Sequence, residues 1–250
     1  MARRYDSLTT MFSPEGRLYQ VEYAMEAISH SSSAIGILCK DGILLAAKKK
    51  RVARLIDRSR DSDKMYELDT HVACAAAGIT SDTNILVDYL REVCQQHHFT
   101  YGEEIPVELL VQRVCDMKQS YTQYGGLRPY GVSFLYAGWD KYFGYQLYMC
   151  DPSGNYGGWK ATAIGANFQA AESIMKTEYK EDMTIEDAKK LVVKIFSKSV
   201  ESSSMVPSRL EFGVFTLDEN NKKPAFKIMK DAQVAELLKQ CGIEMVEDRD

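Results

Sequence analysis

Hydrophobic positions along the chain follow two rhythms, and the switches between them outline the fold. The first rhythm is helical: Leu18, Val21, Met25 and Ile28 are spaced i, i+3, i+7 and i+10, a single stripe. Tyr19 and Tyr23, four residues apart, lie on a second face of the same helix, which calls for a contact with a neighbouring loop or with another subunit. Short apolar runs follow, SAIGILC (33–39) and GILLAA (42–47), and the KDG between them carries the Asp-Gly signal of a hairpin. HVACAAAG (71–78) reads as another strand. Behind it come two helices, one carrying Ile85, Leu86, Tyr89, Leu90, Val93 and Cys94, the other opened by Pro106 with Val107, Leu110, Val111, Val114 and Cys115 on one face.

The second half repeats the grammar. GVSFLYAGW (131–139) and FGYQLYMC (143–150) are strands, and DPSG (151–154) suits a type I turn with Pro second and Gly fourth. After WKATAIG (159–165) two further helical stretches follow, the second opened by a Thr184-x-x-Asp187 capping box and burying Ile185, Ala188, Leu191, Val192, Ile195 and Phe196. Strands RLEFGVFTL (209–217) and AFKIM (225–229) and a short helix around Val234 to Leu238 complete the order. Helices come in adjacent pairs between groups of hairpin-joined strands, with no βαβ alternation. That order predicts an α+β layered sandwich, antiparallel sheets with helices on their outer faces.

No repeat and no Gly/Ser linker divides the 250 residues, so residues 1–250 read as one domain with an N-terminal appendage, residues 1–13. Thirty-one Lys and Arg against 35 Asp and Glu leave a net charge of -4, which disfavours a nucleic-acid partner. The run KKKR (Lys48 to Arg51) has two readings, a basic address or phosphate patch and a solvated strand end. The six cysteines form no C-x-x-C pair, and with the four histidines they show no metal-ligand spacing, so no metal and no cofactor is expected. They suit buried thiols in a reducing compartment, the cytoplasm or nucleus. No apolar run reaches about 18 residues, and no membrane partner is expected.

Phosphate-cradling loops and a G-x-S-x-G elbow are both missing from the sequence. What the chain does carry is YDSLTTMFSPEGRLYQVEYAMEAI (5–28), with YTQYGGLRPYGVSFLYAGWD (121–140) and DPSGNYGGWKATAIG (151–165). These stretches resemble proteasome alpha subunits, and the resemblance runs over nearly the whole chain. It implies an N-terminal-nucleophile hydrolase fold, a four-layer αββα sandwich of two antiparallel sheets between helix pairs.

Catalytic members of that fold, the beta subunits, use an N-terminal Thr whose free α-amine is the base. An amide nitrogen cannot take that role. Here Ser32 stands near the nucleophile position, peptide-bonded behind thirty-one residues and with no Gly-Thr bond to cleave. Lys48 stands where the beta subunits carry an acid, so the resemblance implies a non-catalytic chain. A self-processing hydrolase is the alternative.

The resemblance further implies partners: other alpha subunits in a seven-membered ring, a beta-subunit ring, and regulatory caps that dock C-terminal tails. Tyr5 and Asp6 match the family's gate pair, with Ser7 in place of the usual Arg, and Pro14 and Tyr23 match the supporting turn and helix residues. Pro14 also sets a turn on its own account, because it fixes its own φ and pushes Ser13 out of helical geometry. Lys64 matches the lysine that receives an activator's terminal carboxylate, and Ser31 replaces a frequent Gly at that rim. Without the resemblance, Lys64 would read as a solvated lysine.

Overall fold

The computed structural model describes residues 8–49, 64–199, 205–218 and 223–243. Among them the chain runs α1 (Tyr19–Ser29), β1 (Ala34–Cys39), β2 (Gly42–Lys48), β3 (Met65–Asp69), β4 (Val72–Gly78), α2 (Thr80–Tyr101) and α3 (Val107–Gln123). It continues with β5 (Val132–Asp140), β6 (Gly144–Cys150), β7 (Tyr156–Gly158), β8 (Ala161–Ile164), α4 (Phe168–Glu178), α5 (Ile185–Ser199), β9 (Leu210–Leu217), β10 (Pro224–Ile228) and α6 (Asp231–Gln240).

Two antiparallel sheets form, ordered β10-β9-β2-β1-β8 and β3-β4-β5-β6-β7. Their central strands are apolar on both faces, and the period-2 alternation of the strand sorts the two sets. Ile43, Leu45 and Ala47 of β2 meet Ala73, Ala75 and Ala77 of β4 and Leu135 and Ala137 of β5 in the core between the sheets. Leu44 and Ala46 point outward, under Ala188, Val192, Ile195 and Phe196 of α5 and Val234 and Leu238 of α6. On the other side Cys74, Phe134 and Tyr136 lie under Leu86 and Leu90 of α2 and Leu110, Val111 and Val114 of α3. The layers are helices, sheet, sheet, helices, the αββα sandwich expected, with α6 joining the α4–α5 pair.

The five positions expected to form the buried face of α3 are all buried, as are the six of α5. The capping box is present, with the Asp187 N–H donating to Thr184 Oγ1 at 3.2 Å. In α2, however, Ile85 is exposed and Val87 is buried in its place. The helix packs on β3, β4 and β5 together with α3, and that broad contact rotates the buried stripe away from Ile85. Three edge strands, β3, β7 and β8, form where no strand was expected. KKKR divides: Lys48 closes β2 and the Lys49 N–H donates to Arg209 O, a strand end, while Lys50 and Arg51 lie outside the described residues.

Candidate functional site

Residues Ser13 to Arg17 build the hinge between tail and helix. Pro14 occupies the second position of a turn closed by the Gly16 N–H on Ser13 O at 2.9 Å. Gly16 has φ +77, a conformation that a Cβ resists. The Ser13 N–H then donates to Arg17 O at 2.9 Å and the Arg17 N–H to Ser13 Oγ at 3.2 Å, so the polar groups of buried Ser13 are satisfied inside the turn. Pro14 is exposed on this turn; Leu8 and Phe12 are exposed on the tail before it. Tyr5, Asp6 and Ser7 lie outside the described residues.

Helix α1 carries the second aromatic face that its sequence announces. Tyr19 and Tyr23 stack with ring centroids 6.3 Å apart, the Arg17 guanidinium lies over the Tyr19 ring, and Arg17 forms a bidentate pair with Glu22 at 2.6 Å. Tyr23 is 48% exposed, which leaves this face available for a neighbour. The apolar stripe is narrower than its spacing suggests: Val21 and Ile28 are buried and Met25 is exposed. The helix touches β4 and β5. Ile28 enters the core between the sheets.

Beyond α1 the connector Ser31–Ser33 leads into β1 and meets Lys64, which directly precedes β3. Lys64 is not a solvated lysine: its residue is 8% exposed. Its Nζ donates to Ser32 O, to Ser32 Oγ at 3.0 Å and to Ser33 O at 3.2 Å. Burial pushes its pKa down to about 7, against the pull of the Glu211 carboxylate nearby. Glu211, on β9 opposite Ala47, is itself buried. Sequence inspection missed it, although the alternation of RLEFGVFTL places it on the inward face with Gly213 and Phe215, where a carboxylate needs a reason.

A hydroxyl 3.0 Å from an amine with a pKa near neutrality has the outline of a nucleophile and base. Its surroundings remove the chemistry. Two carbonyls hold the amine as a donor, and the Ser32 nitrogen is an amide. The segment ahead of Ser32 is built into the fold: the Ser31 N–H and Oγ both donate to Ile28 O, and the Ala166 N–H donates to Ser31 O at 2.9 Å. Cleavage before Ser32 would detach the helix that places Ile28 in the core. Among the described residues no group of three His, Cys, Asp or Glu could hold a metal, and no helix is long and apolar enough to cross a membrane.

Comparison with known proteins agrees with this geometry. A model of the proteasome subunit family matches residues 28–215, and a model of the N-terminal signature of A-type proteasome subunits matches residues 5–27. The chain belongs to the proteasome subunit family and, by that signature, is one of its alpha-type, non-catalytic members, which assemble with other proteasome subunits. It is 57% identical to the alpha type-4 proteasome subunit of Spinacia oleracea over 97% of each chain. It is 55% identical to alpha type-4-A of Arabidopsis thaliana and 52% identical to alpha type-4-1 of Oryza sativa subsp. indica, again over 97% of each chain.

Proposed function

We propose that this chain forms part of the outer, seven-membered alpha ring of a 20S proteasome, resting on a beta-subunit ring that supplies the hydrolysis. Residues 1–13 contribute to the gate over the axial pore, with Tyr5 and Asp6 bonding to neighbouring tails and the Pro14 turn and Tyr23 supporting the open arrangement. Lys64 receives the C-terminal carboxylate of a regulatory cap, and takes up its full charge there by exchanging its bonds to Ser32 and Ser33 for that carboxylate. The particle degrades ubiquitin-tagged and untagged proteins in the cytoplasm and nucleus, compartments that suit the chain's free thiols.

The observation that carries this reading is the packing of the segment ahead of Ser32, with Ile28 in the core between the sheets and Ser31 hydrogen-bonded to Ile28 and Ala166. An enzyme of this fold needs a free amine there; a wall-and-gate component needs the helix and its tail. The Arg17–Tyr19–Tyr23 stack gives that helix an outward face suited to a ring neighbour. Docking then acts as a population shift. Turning a 1:99 open-to-closed ratio into 99:1 requires about 5.5 kcal/mol of differential binding, spread over several sites.

The test uses assembled particles carrying either of two variants of this chain. Removal of residues 2–12 is expected to raise basal peptide hydrolysis, and Lys64→Ala to weaken activation by a peptide bearing a cap's C-terminal tail. Unchanged basal hydrolysis in the first particle contradicts the gate role, and unchanged activation in the second contradicts the docking role.

A further inference from the structure

The connector Ser31–Ser33 and Lys64 hold one another in an arrangement that docking must undo, and only one of the two is free to yield. The connector's backbone is pinned without help from Lys64. The Ala166 N–H donates to Ser31 O at 2.9 Å and the Lys48 N–H to Ser33 O at 3.0 Å. Gly165, φ +85, packs directly on the same segment, where an added Cβ would lie 2.7 Å from Ser32 O and 3.0 Å from Ser33 Cα. The residues that follow β8 and the end of β2 thus clamp the connector in place.

Lys64 is bound by its tip alone. Protonated, its amine has three hydrogens, and three connector oxygens take them: Ser32 O, Ser32 Oγ at 3.0 Å and Ser33 O at 3.2 Å. Ser33 O keeps the Lys48 N–H when the lysine leaves. The Ser32 hydroxyl has no other hydrogen bond among the described residues. Ser31, Ser32 and Ser33 are each half-buried, so this group of oxygens borders solvent.

Lys118, on α3, shows how a permanently seated lysine differs. It is fully buried, and its Nζ donates to Val132 O at 2.9 Å, to Cys150 Sγ at 3.2 Å and to Asp151 O at 3.4 Å. Val132 and Cys150 are themselves fully buried, so no solvent-side ligand competes for that amine.

On Lys64, by contrast, the connector offers the oxygens that a carboxylate would offer, and it acts as an internal competitor. The apparent affinity for an incoming tail is then the intrinsic affinity reduced by the fraction of the lysine that is released. Two of the three competing oxygens are backbone, common to any sequence; only the hydroxyl depends on the residue at position 32.

We propose that the Ser32 hydroxyl sets the affinity of the docking site, an inference that rests on the docking role of Lys64. It latches the lysine inward, and a carboxylate-terminated tail docks as the Lys64 side chain swings off Ser32 while the connector stays where it is. Loss of the hydroxyl leaves two of the three bonds and favours the released lysine, so the tail binds about 5-fold more tightly, the worth of one hydrogen bond. A hydroxyl that merely supported the fold would act in the opposite direction, since its loss would disorder the site.

Assembled particles carrying the wild-type chain, Ser32→Ala, Ser32→Thr or Lys64→Ala are titrated with a photo-crosslinking peptide bearing a cap's C-terminal tail. Its cross-link to this chain is followed by peptide mass. Ser32→Ala is expected to half-saturate at a concentration about 5-fold below wild type. Ser32→Thr, which keeps the hydroxyl, is expected to stay close to wild type. In the absence of peptide, brief acetylation with an N-hydroxysuccinimide ester is expected to label Lys64 faster in Ser32→Ala than in wild type, with Lys118 unlabelled in both. If Lys64→Ala captures the tail as tightly as wild type, the docking role fails and the latch with it. If Lys64→Ala abolishes capture while Ser32→Ala leaves half-saturation unchanged or raises it, docking stands and the latch is overturned. Equal acetylation of Lys64 in wild-type and Ser32→Ala particles overturns the latch without reference to any tail.

Discussion

Replacing Lys64 with Met keeps a long side chain and removes the charge, and its effect on stability should depend on pH in one direction. In the folded chain Lys64 gives up its proton near pH 7, whereas the unfolded chain holds it to about 10.5. Between those values the unfolded state binds one more proton, so the native state gains stability as pH rises. Below pH 7 both states are protonated, and the cost of the buried ammonium is fully present. The slope is at most about 1.4 kcal/mol per pH unit, or up to about 4 kcal/mol between pH 7 and 10.

Tyrosines and cysteines titrate over the same range, so the informative quantity is the difference between the two proteins. Urea unfolding of the full-length chain and of Lys64→Met, followed by tryptophan fluorescence at half-unit steps from pH 6 to 10, yields that difference curve. It should be flat below about pH 6.5 and then climb in favour of the wild type. Glu211→Gln should move the onset to lower pH, since the Glu211 carboxylate supports the Lys64 charge. Parallel curves across the whole range would refute the buried, desolvated Lys64 and the contacts assigned to it.

Other outcomes follow from single contacts. Asp82 accepts Arg128 Nη1 at 2.6 Å, Arg128 Nη2 at 2.8 Å and the Gly131 N–H at 2.9 Å, so Asp82→Ala should cost about 2–4 kcal/mol in urea unfolding. The hydrogen bond from Arg128 holds the Asp82 carboxyl below the usual carboxylate range. Its contribution should therefore be complete above about pH 4 and fade as pH falls through the folded value, a loss that Asp82→Ala should not show. Thr184→Ala removes the acceptor of the Asp187 N–H at the start of α5 and should cost about 1 kcal/mol, with Thr184→Ser recovering most of it.

The parts of the fold legible in the sequence are those held by local rules. Helix α3 announces itself through Pro106 and five apolar positions at helical spacing, and α5 through its capping box; both bury the side chains expected of them. Strand β3 escaped notice because Met-Tyr-Glu-Leu-Asp is short, mixed and broken by a register shift at Glu67/Asp69. Strand β7 is three residues at a sheet edge. Met25 and Ile85 obey the helical period yet face solvent, since period fixes a face but not the width of its contact. The contact of Lys64 with Ser32 spans 32 residues and has no local trace. Lys118 did leave one: it sits three and four residues after Cys115 and Val114, on the buried stripe of α3, where a lysine demands partners.

Native mass spectrometry of the particle purified from its source, with intact mass of each released chain, bears most directly on the central claim. The account expects this chain in stoichiometric assembly with other alpha and beta subunits, still carrying the residues ahead of Ser32. A chain beginning at Ser32, outside any ring and hydrolysing peptides unaided, would contradict it.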